Sequence, residues 1–519
     1  LLFACFPKLD LNFLVWVACL PLISAVVTER SLPRAFFFAY LAGVIFLGAS
    51  CYWIIFVIEH YGGLSTVLAV GVLALLAGVF SIIFGAFGLV EAWIAARSRA
   101  WALALAPFLW VGLELARTYF LTGFPWNLLG YAVAPAGLSQ LASVTAVYGL
   151  SFLAVATSAL LVSALLAPRG VWSLSVPAAW LILLVATNWI YRPPTSPPEI
   201  QDAYLIQPNA PLDRSVLAWA PAHDVAPLER LANASVESAC APFSAAAGGP
   251  SMASAAPRTQ VDCSAVRAGS LASRPLIVWA ENPAPFYFTL DPVFRKYVER
   301  IALHTGGYVI FNTTTYAGPD NTLPHNSAIV LDPGGREVLQ YDKIHLVPFG
   351  EYVPAWAFPG TIGKVLSEVS DYVPGSNYQT ATTPDGAVVV SICYEDVFPQ
   401  LVRRLTPRGP GVLVNITDDG WYGDSSARFQ HLEIARFRAL ENGRYLLRAT
   451  NDGITAEVDP YGRILGQLPM HRQMVLPAHF NYVGRQTFYN AHGDLFAWLC
   501  VAVTLGFVGL RIRERSKPL

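Results

Sequence analysis

Polar positions almost vanish over long stretches at the start of the chain. Residues 35–58, 63–90, 138–167 and 171–190 contain no charged side chain. As helices, such stretches can cross about 30 Å of hydrocarbon at about 1.5 Å per residue. Residues 11–28 and 100–118 read as two further spans. Glu114 and Arg117 lie three apart on one face of the second, where they can pair. Residues 495–510, free of charge, form a seventh apolar run. One such run could be a buried helix of a soluble protein, but seven argue for a membrane bundle.

The pattern changes over 199–485. Here short apolar runs end in Gly, Pro, Asp or Asn: PLIVWAEN, GYVIFNTTT, AIVLDPGG, AVVVSICYE, GVLVNITDDG and TAEVDPYG. They read as strands of a buried sheet. Helical stretches over 291–305 and 426–443 suggest a layered α/β domain. The expected organisation is a bundle of about six spans (1–198), a globular domain (199–485), and a last span with a basic tail (486–519).

Composition agrees: 54% of the 519 residues are hydrophobic and only 13% charged, against about a quarter charged in soluble domains. A net charge of −1 argues against nucleic acid as a partner. Arg30, Arg34, Arg97, Arg99 and Arg169 share one side with the tail residues Arg511, Arg513, Arg515 and Lys517. The loop at 59–62 on the other side has no Lys or Arg. The positive-inside rule places the Arg-rich side and the C-terminus in the cytoplasm and the globular domain outside, in the periplasm of a bacterium. The opening LLFACF has no initiating Met and no basic leader region, so an upstream helix is expected to be missing or cut. Residues 238–273, rich in Ala, Ser, Gly and Pro, predict a mobile loop. Its Cys240 and Cys263 can pair in an oxidising compartment or remain free thiols.

Candidate chemistry sits at the ends of two apolar runs and in one loop. SICYED places Cys393 after AVVVSI, at a strand end, where an α/β fold exposes reactive groups. WAEN places Glu281 after PLIVW. YDKIHLVPFGEYVP carries Lys343 and Glu351 in a Pro- and Gly-rich loop. Taken singly, these are ordinary core or surface residues. Together, in this order, they resemble the Glu-Lys-Cys triad of the nitrilase (carbon–nitrogen hydrolase) superfamily. TDDGWYG (417–423) and the segment 430–462 fit the same superfamily. The resemblance covers nearly all of 200–470 and implies a four-layer α-β-β-α sandwich. The expected fold class is therefore a polytopic α-helical membrane bundle plus an extramembrane α/β nitrilase-type sandwich.

The membrane part narrows the resemblance. LTGFPWNLLGY after ELAR, the phrase HLVPFGEYVP, and helices on both sides of the hydrolase domain are similar to the apolipoprotein N-acyltransferase family of bacterial inner-membrane enzymes. The resemblance implies transfer of the sn-1 acyl chain of a phospholipid, commonly phosphatidylethanolamine, to the N-terminal amine of diacylglyceryl-cysteine apolipoproteins. No cofactor or metal is implied, and a monomer is expected. Cys393 would be the nucleophile forming a thioester, Glu281 the base, and Lys343 the oxyanion stabiliser, helped by the backbone N–H of Tyr394. Glu351 and Glu395 match acidic positions kept near the triad and would orient or tune Lys343. Tyr394 and Trp421 would line the acyl pocket. Trp219 matches a Trp of the family, with different spacing. Trp126 is expected at the bilayer interface, where aromatic residues concentrate, and 352–362 as a lid. Two departures stand out: NPAPF follows Glu281, and the 238–273 insert is long for the family.

Other classes fit less well. A tethered nitrilase or amidase would use the same triad without needing six spans. A transporter would carry several ionisable groups within its spans. His304, His325 and His345 lack zinc spacing, and no G-x-S-x-G marks a serine hydrolase.

Overall fold

The computed structural model describes residues 1–133, 137–167, 172–190, 192–212, 225–246, 263–264, 274–283, 286–317, 322–354 and 372–515. Apolar helices come first: α1 (Leu20–Thr28), α2 (Leu32–Ser50), α3 (Trp53–His60), α4 (Thr66–Ala95), α5 (Arg99–Tyr119), α6 (Val147–Leu166) and α7 (Trp172–Ile190). Another, Leu495–Arg515, returns at the end. Among the described residues, five are long and apolar enough to cross a membrane: α2, α4, α5, α6 and the returning helix. The chain is a membrane protein. Glycine lets α2 and α4 approach closely: a Cβ on Gly88 would sit 2.4 Å from the Ala35 carbonyl oxygen. Small residues play this part where lipid offers no hydrophobic drive between helices.

Several expected spans are shorter than their apolar runs. The 35–58 run breaks after Ser50 and resumes as α3 at Trp53. In 138–167 a short turn, Ala142–Thr145, ends at Ala146 with φ +52°, and α6 starts only at Val147. Residues 11–28 divide into a 3-10 turn, Asn12–Trp16, and α1, which Pro21 opens. Pro177 lies inside α7. The residues at these breaks are themselves uncharged, so hydropathy passes over them.

Two six-stranded sheets follow. The first has the order β12-β1-β2-β3-β4-β5, with β1 (Gln201–Gln207), β2 (Leu276–Trp279), β3 (Tyr308–Ala317), β4 (Leu323–Leu331), β5 (Glu337–Asp342) and β12 (Met474–Phe480). The second has the order β11-β10-β9-β8-β7-β6, with β6 (Ala381–Thr382), β7 (Ala387–Ile392), β8 (Gly411–Thr417), β9 (Leu446–Thr450), β10 (Ala456–Val458) and β11 (Ile464–Gln467). The centres are parallel, with Val278 beside Ile310 and Ile392 beside Ile416. Their strands are therefore buried on both faces and read as continuous apolar runs. Leu205, Val278 and Val330 meet Val390, Val414 and Leu447 between the sheets. The outer face of the first sheet is covered by α8 (Ala226–Ala246) and α9 (Pro292–Thr305). The second is covered by α10 (Pro399–Leu405) and α11 (Ala427–Asn442). The result is the α-β-β-α sandwich.

The expected loop at 238–273 begins as helix. Residues 238–246 are the last turns of α8, because an Ala-rich sequence has high helix propensity and Ala239 and Cys240 bury against the sheet side. Cys240 and Cys263 form a disulfide, and the Cys263 amide donates to the His304 carbonyl at 3.0 Å. The rest of that insert, apart from Ser264, lies outside the described residues.

Candidate active site

The ends of β2, β5, β7 and β8 converge between the sheets. Glu281 follows β2, Lys343 follows β5, and Cys393 follows β7. All three are buried, at 3%, 1% and 6% exposure. Lys343 Nζ lies 2.9 Å from Glu351 Oε1 and 3.6 Å from Glu281 Oε1. Burial alone would depress the Lys343 ammonium; Glu351 and Glu281 outweigh it and hold it above its usual range. Cys393 takes φ +51°, uncommon for a side-chain-bearing residue, and opens a 3-10 helix, Cys393–Val397. That sharp turn lifts the thiol off the strand end. Burial, then the Glu281 charge, push the thiol well above its usual range, while Lys343 and a Thr417 hydroxyl bond act against them. The resting group is a neutral thiol next to a carboxylate that can take its proton.

Glu351 and Glu395 divide the work expected of them. Glu351 bonds Lys343 directly and also accepts from the Val347 amide at 2.7 Å. Glu395 makes no bond to Lys343. Its Oε1 accepts from Tyr341 Oη, Ile344 N and His345 N at 2.8, 2.7 and 3.1 Å, and its Oε2 from Ile392 N at 2.8 Å. One carboxyl thus ties the Cys393 turn to the Lys343 loop. Burial raises it to about 7. Tyr394 is buried and packs on Phe398, centroids 5.2 Å apart, and on His345 at 5.8 Å. His345 is itself lowered to about 4, first by burial and then by Lys343.

Asn326, outside the quoted motifs, and Asp418, within TDDGWYG, complete the site. Asn326 Nδ2 donates to both Glu281 Oε1 (3.0 Å) and Glu351 Oε1 (2.7 Å), and its Oδ1 accepts from Asn312 at 2.7 Å. The Asp418 amide donates to Glu281 Oε2 at 3.1 Å. A polar HNS triplet inside an otherwise apolar strand was the one available signal for Asn326.

The tryptophans fall in different places. Trp421 is half-buried and meets Tyr61 edge-on, centroids 4.5 Å apart. Trp126, expected at the bilayer interface, is fully buried inside the protein, between the helical part and α11. Its Nε1 donates to Gln430 Oε1 at 2.7 Å, and Trp53 packs on it at 5.1 Å. The reason is a partner 304 positions away, which a buried indole N–H requires. Nor do Glu114 and Arg117 simply pair. Glu114 Oε1 accepts from Leu129 N at 2.8 Å, and Arg117 Nη2 donates to the Trp126 carbonyl at 3.2 Å, so both hold the Trp126 loop. Trp219 and residues 355–362 of the expected lid lie outside the described residues.

Buried Glu, Lys and Cys on neighbouring strand ends of an α-β-β-α sandwich, fused to membrane helices, define a membrane-bound enzyme of the nitrilase superfamily. The family model for carbon–nitrogen hydrolases matches residues 275–484, and that for the N-terminal domain of apolipoprotein N-acyltransferase matches residues 1–160. The apolipoprotein N-acyltransferase of Geobacter metallireducens is 33% identical, over 98% of this chain and 93% of its own length. That of Methylococcus capsulatus is 29% identical, over 96% and 91%. An amidase of the nitrilase superfamily from Nesterenkonia AN1 has 17% identity and a TM-score of 0.38, covering 59% of this chain and 99% of the amidase. The chain belongs to the apolipoprotein N-acyltransferase family and is an N-acyltransferase.

Proposed function

We propose that this enzyme moves the sn-1 acyl chain of a phospholipid, phosphatidylethanolamine among them, to the N-terminal amine of diacylglyceryl-cysteine apolipoproteins through a thioester on Cys393. Glu281 takes the thiol proton as sulfur attacks the ester carbonyl. The C–O bond breaks, and the proton passes to the departing lysophospholipid oxygen. The amine of the second substrate then attacks the thioester. Glu281 takes the amine proton, the C–S bond breaks, and Glu281 returns that proton to the sulfur, which restores the thiol and the free carboxylate. Lys343 and the Tyr394 N–H face the oxyanion of both tetrahedral intermediates. Glu351 positions Lys343, and Glu395 positions both arms of the site. Tyr394, Trp421 and Trp219 belong to the acyl-binding surroundings, and Trp126 supports them from the bundle.

The observation that carries this reading is the ion network of Lys343 with Glu281 and Glu351 beside a neutral thiol raised on a left-handed turn. Membrane helices pack directly against that sandwich, so two lipid-anchored substrates can reach the thiol without leaving the bilayer, which raises their effective concentration. The Arg distribution supports an inner-membrane protein whose sandwich faces the periplasm, and the Cys240–Cys263 disulfide fits an oxidising compartment. The enzyme acts as a monomer without a cofactor.

Intact-protein mass spectrometry tests the reading. Wild type and Cys393→Ala are incubated with phosphatidylethanolamine and no acceptor. Wild type should gain one acyl chain, released by hydroxylamine and discharged by a diacylglyceryl-cysteine peptide. An adduct that persists on Cys393→Ala, or none on wild type, would overturn it.

A further inference from the structure

Behind Cys393 lies a buried polar chain to which the acyl-transfer chemistry assigns no task. His431, on α11, is fully buried. Its Nε2 lies 3.3 Å from the carbonyl oxygen of Cys393. A carbonyl oxygen can only accept, so the ring nitrogen donates. Nδ1 is reached by Asp419 Oδ1 at 2.8 Å and by Arg448 Nη2 at 3.1 Å. Arg448 also grips both oxygens of Asp419, at 3.0 and 2.8 Å, and donates to Asn415 Oδ1. Burial would raise the Asp419 carboxyl, but Arg448 and His431 outweigh it and hold it below the usual carboxylate range. The Trp126 and Tyr422 rings flank the imidazole, centroids 5.7 and 5.9 Å away. The ring is fixed on every side.

The bond it makes is to one half of a peptide group. The other half is the Tyr394 N–H, and in a trans peptide the two point in opposite directions. Tyr394 sits in the first turn of the 3-10 helix, where amides have no partner inside the helix. Cys393, at φ +51°, occupies a sparsely populated conformation that the surroundings must hold in place. A flip of this one peptide plane would turn the N–H away and present a carbonyl to the developing oxyanion.

We propose that His431 is a positioning residue that locks the Cys393–Tyr394 peptide plane and so keeps the oxyanion hole formed. Asp419 and Arg448 hold the imidazole for that purpose. Trp126 couples it to the bundle. The proposal rests on Cys393 being the acylated nucleophile and names the device that keeps its second oxyanion donor aimed.

The test compares two reactions of the same sulfur in the full-length enzyme. Acylation by phosphatidylethanolamine passes through an oxyanion. Alkylation by iodoacetamide displaces iodide at a saturated carbon and does not. In His431→Phe, which keeps a ring between Trp126 and Tyr422, acylation should fall about 10²-fold while alkylation stays within about threefold of wild type. His431→Gln, whose amide N–H reaches the position of Nε2, should recover most of the acylation rate; His431→Asn, whose amide stops short, should not. The Gln–Asn contrast stands even if the Phe variant does not fold. Normal acylation in His431→Phe, an equal fall in both reactions, or Gln no faster than Asn overturns the proposal. A wild type that alkylates but never acylates overturns the thioester reading itself, and the proposal with it.

Discussion

Asn326 offers the sharpest quantitative test of the site. It is the only neutral side chain whose amide bridges the two carboxylates on either side of Lys343 among the described residues, at 3.0 and 2.7 Å. Hydrogen bonds to charged groups contribute about 1.5–3 kcal/mol each. Asn326→Leu, of similar size, removes both and leaves two buried carboxylate oxygens dependent on Lys343 alone. The two losses are not additive, because Lys343 can move toward either acid. A net loss of about 3 kcal/mol is expected, or about 10²-fold in rate if it falls on the transition state. The assay is the rate of acyl-adduct formation from phosphatidylethanolamine, followed by intact mass, together with thermal unfolding in the same detergent. A cycle with Glu351→Gln should show coupling of about 0.5–3 kcal/mol. An Asn326→Leu enzyme that acylates within about threefold of wild type and melts at the same temperature would refute the idea that these bonds hold the acids in place.

Three further outcomes follow from other contacts. Trp126→Ala should cost about 3–5 kcal/mol of stability, as for other large core deletions, whereas Trp126→Phe loses mainly the Gln430 bond, about 1 kcal/mol; equal melting temperatures for the two would contradict the buried placement. Glu395 is raised from 4.5 to about 7, so its contribution to stability is fully present below about 4.5 and is lost as pH rises through about 7. Glu395→Gln does not titrate, and between pH 5 and 8 it should gain on wild type by up to about 3 kcal/mol; melting curves whose difference does not move with pH would count against the shift. The Cys240–Cys263 bridge spans 23 positions, so Cys240→Ala/Cys263→Ala should lose about 3 kcal/mol while still forming the acyl adduct at 25 °C. An unchanged melting temperature would show the bridge to be without effect.

Much of this architecture was legible in the sequence because each signal was local. The parallel strands are continuous apolar runs, and Glu281 and Cys393 each stand where such a run ends, whereas Lys343 follows the antiparallel edge strand β5 and was legible from the motif around it. What stayed hidden depends on partners far away in the chain. Asn326 reads as an ordinary polar residue of a strand until β4 is set beside β3 and the Glu351 loop folds over it. His431 lies on a helix whose role is visible only when its imidazole meets a carbonyl 38 positions earlier. Trp126 resembles an interfacial tryptophan because nothing near it in sequence announces Gln430. The breaks at Ser50 and Ala146 escaped for the opposite reason: they are set by backbone geometry inside stretches whose composition is uniformly apolar.

One hydrophobic core runs without interruption from Trp53, Trp126 and Tyr131 in the helical part to Tyr422, Phe398 and Phe437 on the second sheet's side. The catalytic sandwich is therefore not a soluble enzyme attached to an anchor. Cut free at 199–485, it would expose the apolar face that receives Trp126, and would leave Gln430 and His431 without the Trp126 ring that covers them. A fragment of that kind would be expected to aggregate rather than turn over small substrates. By the same logic, the two parts can change only in step, and neither can be exchanged by recombination without repacking the other.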